Sequence, residues 1–146
     1  MPKTVWDIIK GRQQIYCVSE QMTVAEAARY LKDRRIRAAG VCDLSGKISG
    51  VISQSDISDK VVAENRLPSE VKVRDVATTN LIKVSPDTDC RTAIKLMHEN
   101  GIYHLLVENP DGNFMGMISV RDCIAMIAEE ERERAEMLTD YAFPRY

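Results

Sequence analysis

No apolar run in this chain approaches the roughly 20 residues that span a bilayer, and the opening MPKTVWDIIKGRQQ has no basic stretch leading into an apolar one, as a secretory leader requires. Both absences predict a cytoplasmic protein. Charge of one sign is also lacking: 20 Lys and Arg stand against 22 Asp and Glu, for a net charge of −2, and no basic stripe is interleaved with aromatics. That counts against nucleic acid as a partner. Catalytic signatures are missing too, with no G-x-S-x-G elbow, P-loop or H-E-x-x-H and no cysteine with an obvious histidine base, so no enzyme is expected. Cys17, Cys42, Cys90 and Cys123 form no C-x-x-C pair and lie in or beside apolar segments. They are expected as reduced, buried thiols rather than as zinc ligands or a disulfide framework. His98 and His104 fall on different elements, so no metal site is expected.

What the chain does have is a repeat. Residues 50–56 read GVISQSD and residues 116–122 read GMISVRD, and a shift of 66 residues aligns Val18 through Asp56 with Val84 through Asp122 without a gap. Both copies carry the same local grammar. Thr23 and Glu26 form a T-x-x-E capping box ahead of the stripe Val24, Ala27, Ala28, Leu31. In the second copy Asp89 is the expected N-cap, Cys90, Ala93, Ile94 and Met97 repeat the stripe, and Gly101 ends the helix. Two short apolar runs follow in each copy, 36–41 and 48–52, then 102–107 and 114–118. The turns between them contain Gly46 and Gly112, which reads as a β-hairpin with glycine at a positive-φ position. Ser53 and Ser119 then open a second helix each, and extended segments at Ile15–Val18 and Leu81–Val84 precede the copies. A short helix is expected around Val73–Ala77. At 146 residues, 45% of them hydrophobic, the chain suits one domain or two half-size units sharing a core.

On the two G-h-x-S-x-x-D endings and the lead-in VKVRDVATTNLIKVSPD (71–87), the chain resembles a tandem pair of CBS domains, named after cystathionine β-synthase and often called a Bateman module. The resemblance implies an α/β (α+β) fold of two pseudo-twofold-related β-α-β-β-α repeats. It also implies clefts for adenosine ligands such as AMP, ATP or NAD, and assembly of the module into a homodimer. The expected organisation is a first repeat over 6–63, a linker and lead-in over 64–80, a second repeat over 81–128 and a C-terminal helical extension over 129–146.

The S-x-x-D ending has its own chemistry. A helix N-terminus presents unpaired N–H groups and the positive end of the helix dipole, which suit a phosphate. The serine hydroxyl adds a donor, and an ionised aspartate accepts from the hydroxyls of a ribose. The same spacing is also a capping box, in which serine and aspartate satisfy the helix's own amides. The residues alone leave both readings open, and the family resemblance favours the ligand. Ser119, Arg121, Asp122 and His104 are expected to form the better anion site, since the family often has arginine and histidine at these places. Ser53 and Asp56 form the weaker one, with Ser55 and Ala38 standing where the second copy has Arg121 and His104. Tyr103 and Leu106 depart from the family's usual R-H-L-P-V string. Asn80, Leu81 and Ile82, with Gln14, Ile15 and Tyr16, are the expected walls for adenine.

After Asp122 no helix breaker occurs before Pro144, so a helix of about 20 residues is expected, with a Glu130–Arg134 pair on it. Its Met137, Leu138, Tyr141 and Phe143 call for cover, expected from the dimer mate. The functional reading is a regulatory adenosine-nucleotide sensor whose effector is a separate, unknown protein. The alternative is a ligand-free structural or adaptor dimer.

Overall fold

A computed structural model describes residues 2–143, so Pro144 lies outside the described residues. The chain forms two compact units, and each draws its lead-in from the other repeat's end of the sequence. One unit contains Gln14–Ile82, and the other contains Met1–Gln13 together with Lys83–Tyr146.

The Gln14–Ile82 unit holds β1 (Cys17–Ser19), α2 (Val24–Arg34), β2 (Ala38–Cys42), β3 (Ile48–Ser53), α3 (Gln54–Ile57) continuing as a π-helical turn over Ser58–Val62, and the short α4 (Val73–Val76). Helix α1 (Val5–Ile9) belongs to the other unit. The expected capping box starts α2: the Glu26 N–H donates to the Thr23 hydroxyl at 3.1 Å. Val24, Ala27 and Leu31, spaced to share one helix face, are buried against Val41 and Ile52 of the sheet. The sheet order is β1-β2-β3, with β1 parallel and β3 antiparallel to β2. Gly46 closes the hairpin at φ 86°.

The second unit repeats this plan with β4 (Lys83–Val84), α5 (Cys90–Glu99), β5 (His104–Glu108), β6 (Phe114–Ser119) and α6 (Val120–Ala142). Asp89 caps α5, accepting from the Arg91 N–H at 2.7 Å, and Cys90, Ala93 and Met97 are buried. Each hairpin has its register shift at the matching place, Val41/Cys42 and Val107/Glu108. Helix α1 is tied to this unit by N–H donation from Val5 to the Thr88 carbonyl and from Trp6 to the Pro86 carbonyl, at 2.8 and 2.9 Å.

Two expectations need correction. Cys17 and Cys42 are joined by a disulfide, while Cys90 and Cys123 are free and buried. The cause is strand pairing. Cys17 lies beside Gly40 in the parallel ladder, so Cys42, two residues on, projects from the same face of the adjacent strand. The second correction concerns Glu130, which does not bridge Arg134. It is buried, accepts from the Lys3 backbone N–H at 2.9 Å and pairs with Arg91 at 2.8 Å. Arg134 pairs with Glu131 instead.

These contacts, the Lys3 N–H first, hold the Glu130 carboxyl below the usual carboxylate range, and the Thr4 N–H with Lys10 does the same for Asp7. A depressed folded-state value contributes stability that is present above the unfolded-state value and is lost as pH falls through the folded one. Melting temperature is therefore expected to drop on acidification below about pH 5. Glu130→Gln should flatten that dependence while leaving the slope between pH 6 and pH 8 unchanged. An acid limb as steep as in the wild type would remove Glu130 from the explanation.

Candidate ligand-binding site

Both S-x-x-D motifs stand where a strand hands over to a helix, and the sheets place their partners. Ser53 ends β3 opposite Ala38, and Ser119 ends β6 opposite His104, each in an antiparallel register. His104 is therefore the cross-strand neighbour of the second serine, as Ala38 is of the first.

Both motifs also close as capping boxes. In the first, the Ser53 N–H and hydroxyl both donate to Asp56 Oδ2 at 2.9 Å, and the Asp56 N–H donates back to Ser53 Oγ at 3.2 Å. Asp56 Oδ1 takes the Thr78 hydroxyl at 3.0 Å and pairs with Lys60 at 2.8 Å. The residue is 6% exposed. Burial of a carboxylate demands that its lone pairs be matched, and here they are.

In the second motif the Ser119 N–H donates to Asp122 Oδ2 at 2.8 Å and the Asp122 N–H to Ser119 Oγ at 3.1 Å. Arg12 Nη2 pairs with the same Oδ2 at 2.9 Å, and its Nη1 donates to the Met117 carbonyl. The Asp122 side chain is 34% exposed, and its Oδ1 makes no hydrogen bond among the described residues. Arg121 is exposed beside it in the first turn of a 23-residue helix.

Thr78, Lys60 and Arg12 were missed by sequence reasoning. Lys60 stands at i+4 from Asp56, a spacing that was readable. Arg12 and Thr78 are related by the same 66-residue shift as the motifs they serve, a signal visible only by extending the alignment upstream. Thr78 also explains the glycine of the first frame. The Val51 and Thr78 backbones bridge, and a Cβ on Gly50 would stand 2.9 Å from the Thr78 carbonyl oxygen. Gly116 is instead required by its φ of 125°.

The remaining expected residues lie in the Gln14–Ile82 unit. Ile15 is exposed and Tyr16 half-buried, its carbonyl accepting from the Gly40 N–H at 3.0 Å. Asn80 is exposed, and Leu81 and Ile82 are half-buried in irregular chain before β4. None of these five is hydrogen-bonded to Ser53 or Asp56 among the described residues. No group of three or more His, Cys, Asp or Glu side chains among the described residues could hold a metal ion, and no described helix is long and apolar enough to cross a membrane.

This arrangement of two β-α-β-β-α repeats is that of a CBS domain pair. The family model for the CBS domain matches residues 5–63 and again 73–129, and the chain belongs to that family. It is 27% identical to a mitochondrial CBS domain-containing protein of Arabidopsis thaliana over 94% of this chain and 71% of that protein. A putative signal-transduction protein with CBS domains from Burkholderia ambifaria has a TM-score of 0.80 at 26% identity, covering 86% of this chain and 93% of that one. A CBS domain protein from Pyrobaculum aerophilum, solved in complex with AMP, has a TM-score of 0.75 at 22% identity over 82% and 89% of the two chains. At that identity the last likeness speaks for the fold.

Proposed function

We propose that this protein is a non-enzymatic regulatory module that binds an adenosine nucleotide of the AMP, ATP or NAD type and signals by altering its dimer or effector surface. The observation that carries this reading is the contrast between the two aspartates. Asp122, its side chain 34% exposed, keeps a carboxylate oxygen, Oδ1, that makes no hydrogen bond among the described residues and can accept from a ribose hydroxyl, at the positive end of a long helix and next to Arg121. Asp56 has its oxygens committed to Ser53, Thr78 and Lys60. The Ser119, Arg121, Asp122 and His104 end is thus the stronger site in this proposal, with Arg12 as a further cation for phosphate. Ser53 and Asp56, with Ala38 in the place of His104, form the weaker one, and Gln14, Ile15, Tyr16 and Asn80–Ile82 supply adenine walls. The AMP complex of the Pyrobaculum relative supports an adenosine ligand.

The test is thermal unfolding and calorimetry of wild type, Arg121→Ala and Asp122→Asn with AMP, ADP, ATP, NAD and GMP, after carried-over ligand has been removed by denaturation and refolding. Adenosine-specific stabilisation of about 2.7 kcal/mol is expected at a hundredfold over Kd. Arg121→Ala should weaken binding of the phosphate-bearing ligands about tenfold, the loss of one charge-assisted contact. The adaptor reading draws on the two closed capping boxes, which give each serine and aspartate a partner without any ligand. No shift with any nucleotide would make it the better account.

A homodimer is part of the proposal. Helix α6 is tied to its own unit as far as Glu133, which pairs with Lys3, but Met137, Leu138, Tyr141 and Phe143 beyond it are all exposed. A chain ending at Arg134 should keep its fold and sediment as a monomer where the full chain is a dimer. An unchanged dimer would place the interface elsewhere. The cytoplasm is the proposed location, and there the Cys17–Cys42 bond would be transient.

A further inference from the structure

Helix α2 and the α3 turn of the first repeat flank a cavity of about 530 Å³ whose charge is one-sided. Ile36, Ile57 and Val62 line it with apolar surface, and Lys32, Arg35 and Arg37 line it with three cations. No carboxylate is among its lining residues. None of the three cations is ion-paired among the described residues, although Asp33 and Asp59 stand close by in sequence. Neither Ser53 nor Asp56 lines this cavity.

Arg35 adds an independent observation. It caps α2 in the left-handed conformation, φ 55° and ψ 41°, which costs any residue with a Cβ. The 66-residue shift pairs it with Gly101, which takes the same conformation at φ 62° without that penalty. The chain thus holds an arginine, at a cost in stability, where glycine fits better, and that arginine faces a cavity. The same shift pairs Lys32 with His98 and Arg37 with Tyr103, so the second repeat has none of the three permanent cations. The helix plan alone does not call for this charge.

We propose that the groove is a second ligand site, separate from the serine–aspartate sites, and that it takes a small amphipathic anion. An alkyl or aryl body packs on Ile36, Ile57 and Val62, and a carboxylate or phosphate head is held by Lys32, Arg35 and Arg37. The apolar lining supplies burial, and the arginine forks supply the charge-assisted, directional contacts that select an anion over a neutral head.

The test uses the full chain with octanoate, octyl phosphate and octanol as probes, followed by calorimetry and by backbone amide shifts. One or both anions should bind saturably, with shifts centred on residues 31–37 and 54–62, and octanol should bind at least about tenfold more weakly, since it lacks the charge the cations recognise. Whichever anion binds tighter identifies the head group as carboxylate or phosphoester. Arg35→Gly should raise the melting temperature, by relieving the backbone, and at the same time weaken the anion about fivefold to tenfold. Lys32→Gln with Arg37→Gln, which leaves the backbone alone, should weaken it without the gain in stability. Octanol binding as well as the anions, shifts centred elsewhere, or unchanged affinity in both variants would overturn the proposal. So would absence of binding by both anions; if the Lys32→Gln, Arg37→Gln chain then also sediments at lower mass than wild type, the groove is covered by a second copy.

Discussion

Asp56→Ala is expected to lower the unfolding free energy by about 2–3 kcal/mol, whereas Asp122→Ala lowers it by only about 1 kcal/mol. The two residues hold the same position in the repeat and both close a capping box, so a difference between them reports what burial and the Thr78 and Lys60 contacts add at Asp56. Removing the Asp56 carboxylate, itself 6% exposed, takes the shared acceptor from the N–H and hydroxyl of the half-buried Ser53 and from the hydroxyl of the exposed Thr78. Each donor loses a hydrogen bond to a charged acceptor, and the two on Ser53 lose it where water has only partial access. Lys60 loses less, because it is half exposed and also donates to the Val76 carbonyl at 2.9 Å. Water can replace Asp122, whose side chain is 34% exposed. In a chain of this length the Asp56 loss corresponds to a fall of roughly 5–10 °C in melting temperature. Asp56→Asn, which keeps one acceptor, should fall between wild type and Asp56→Ala. Equal losses at Asp56 and Asp122 would mean that the Thr78 and Lys60 contacts contribute nothing. The same comparison matters for ligand work, since a nucleotide effect of Asp56→Ala has to be separated from its effect on the fold.

Opening the Cys17–Cys42 disulfide should cost about 3.5 kcal/mol, the chain-entropy value for a loop closed across a sequence separation of 25. The expected readout is a lower denaturant midpoint for reduced wild type and for Cys17→Ser with Cys42→Ser, with the slope of the transition little changed. Thiol counting supplies the control. Burial pushes Cys90 up to about 11 and Cys123 up to about 12, so both are protonated near neutral pH and should not react in the native protein. Native oxidised protein is therefore expected to show no reactive thiol, and unfolded oxidised protein only Cys90 and Cys123. If reduction leaves the midpoint unchanged, the link does not stabilise the fold.

Much of the local architecture was legible beforehand because its determinants lie within a helical turn or a hairpin. Thr23 with Glu26 and Asp89 start helices as their spacing requires, and Gly46 and Gly112 take φ values of 86° and 85° where the turns need them. The serine and aspartate of each motif are three residues apart, so their mutual hydrogen bonds were readable too. The disulfide was not, since it depends on which residues parallel strands place side by side across a long crossover. Glu130 was misread for a related reason: the i, i+4 partner Arg134 was visible, but the Lys3 amide and Arg91 come from distant parts of the chain.

By itself, then, the sequence determined the repeat, the order of elements, the caps and turns, and the two serine–aspartate motifs, because short-range sterics and hydrogen bonding set these within a few residues. The tertiary structure alone decided that residues 1–13 complete the second repeat and that residues 64–82 complete the first. It set Thr78 on one aspartate and Arg12 on the other, and left the first buried and the second open. Those outcomes rest on contacts between residues 22 and 110 positions apart, which no local periodicity encodes.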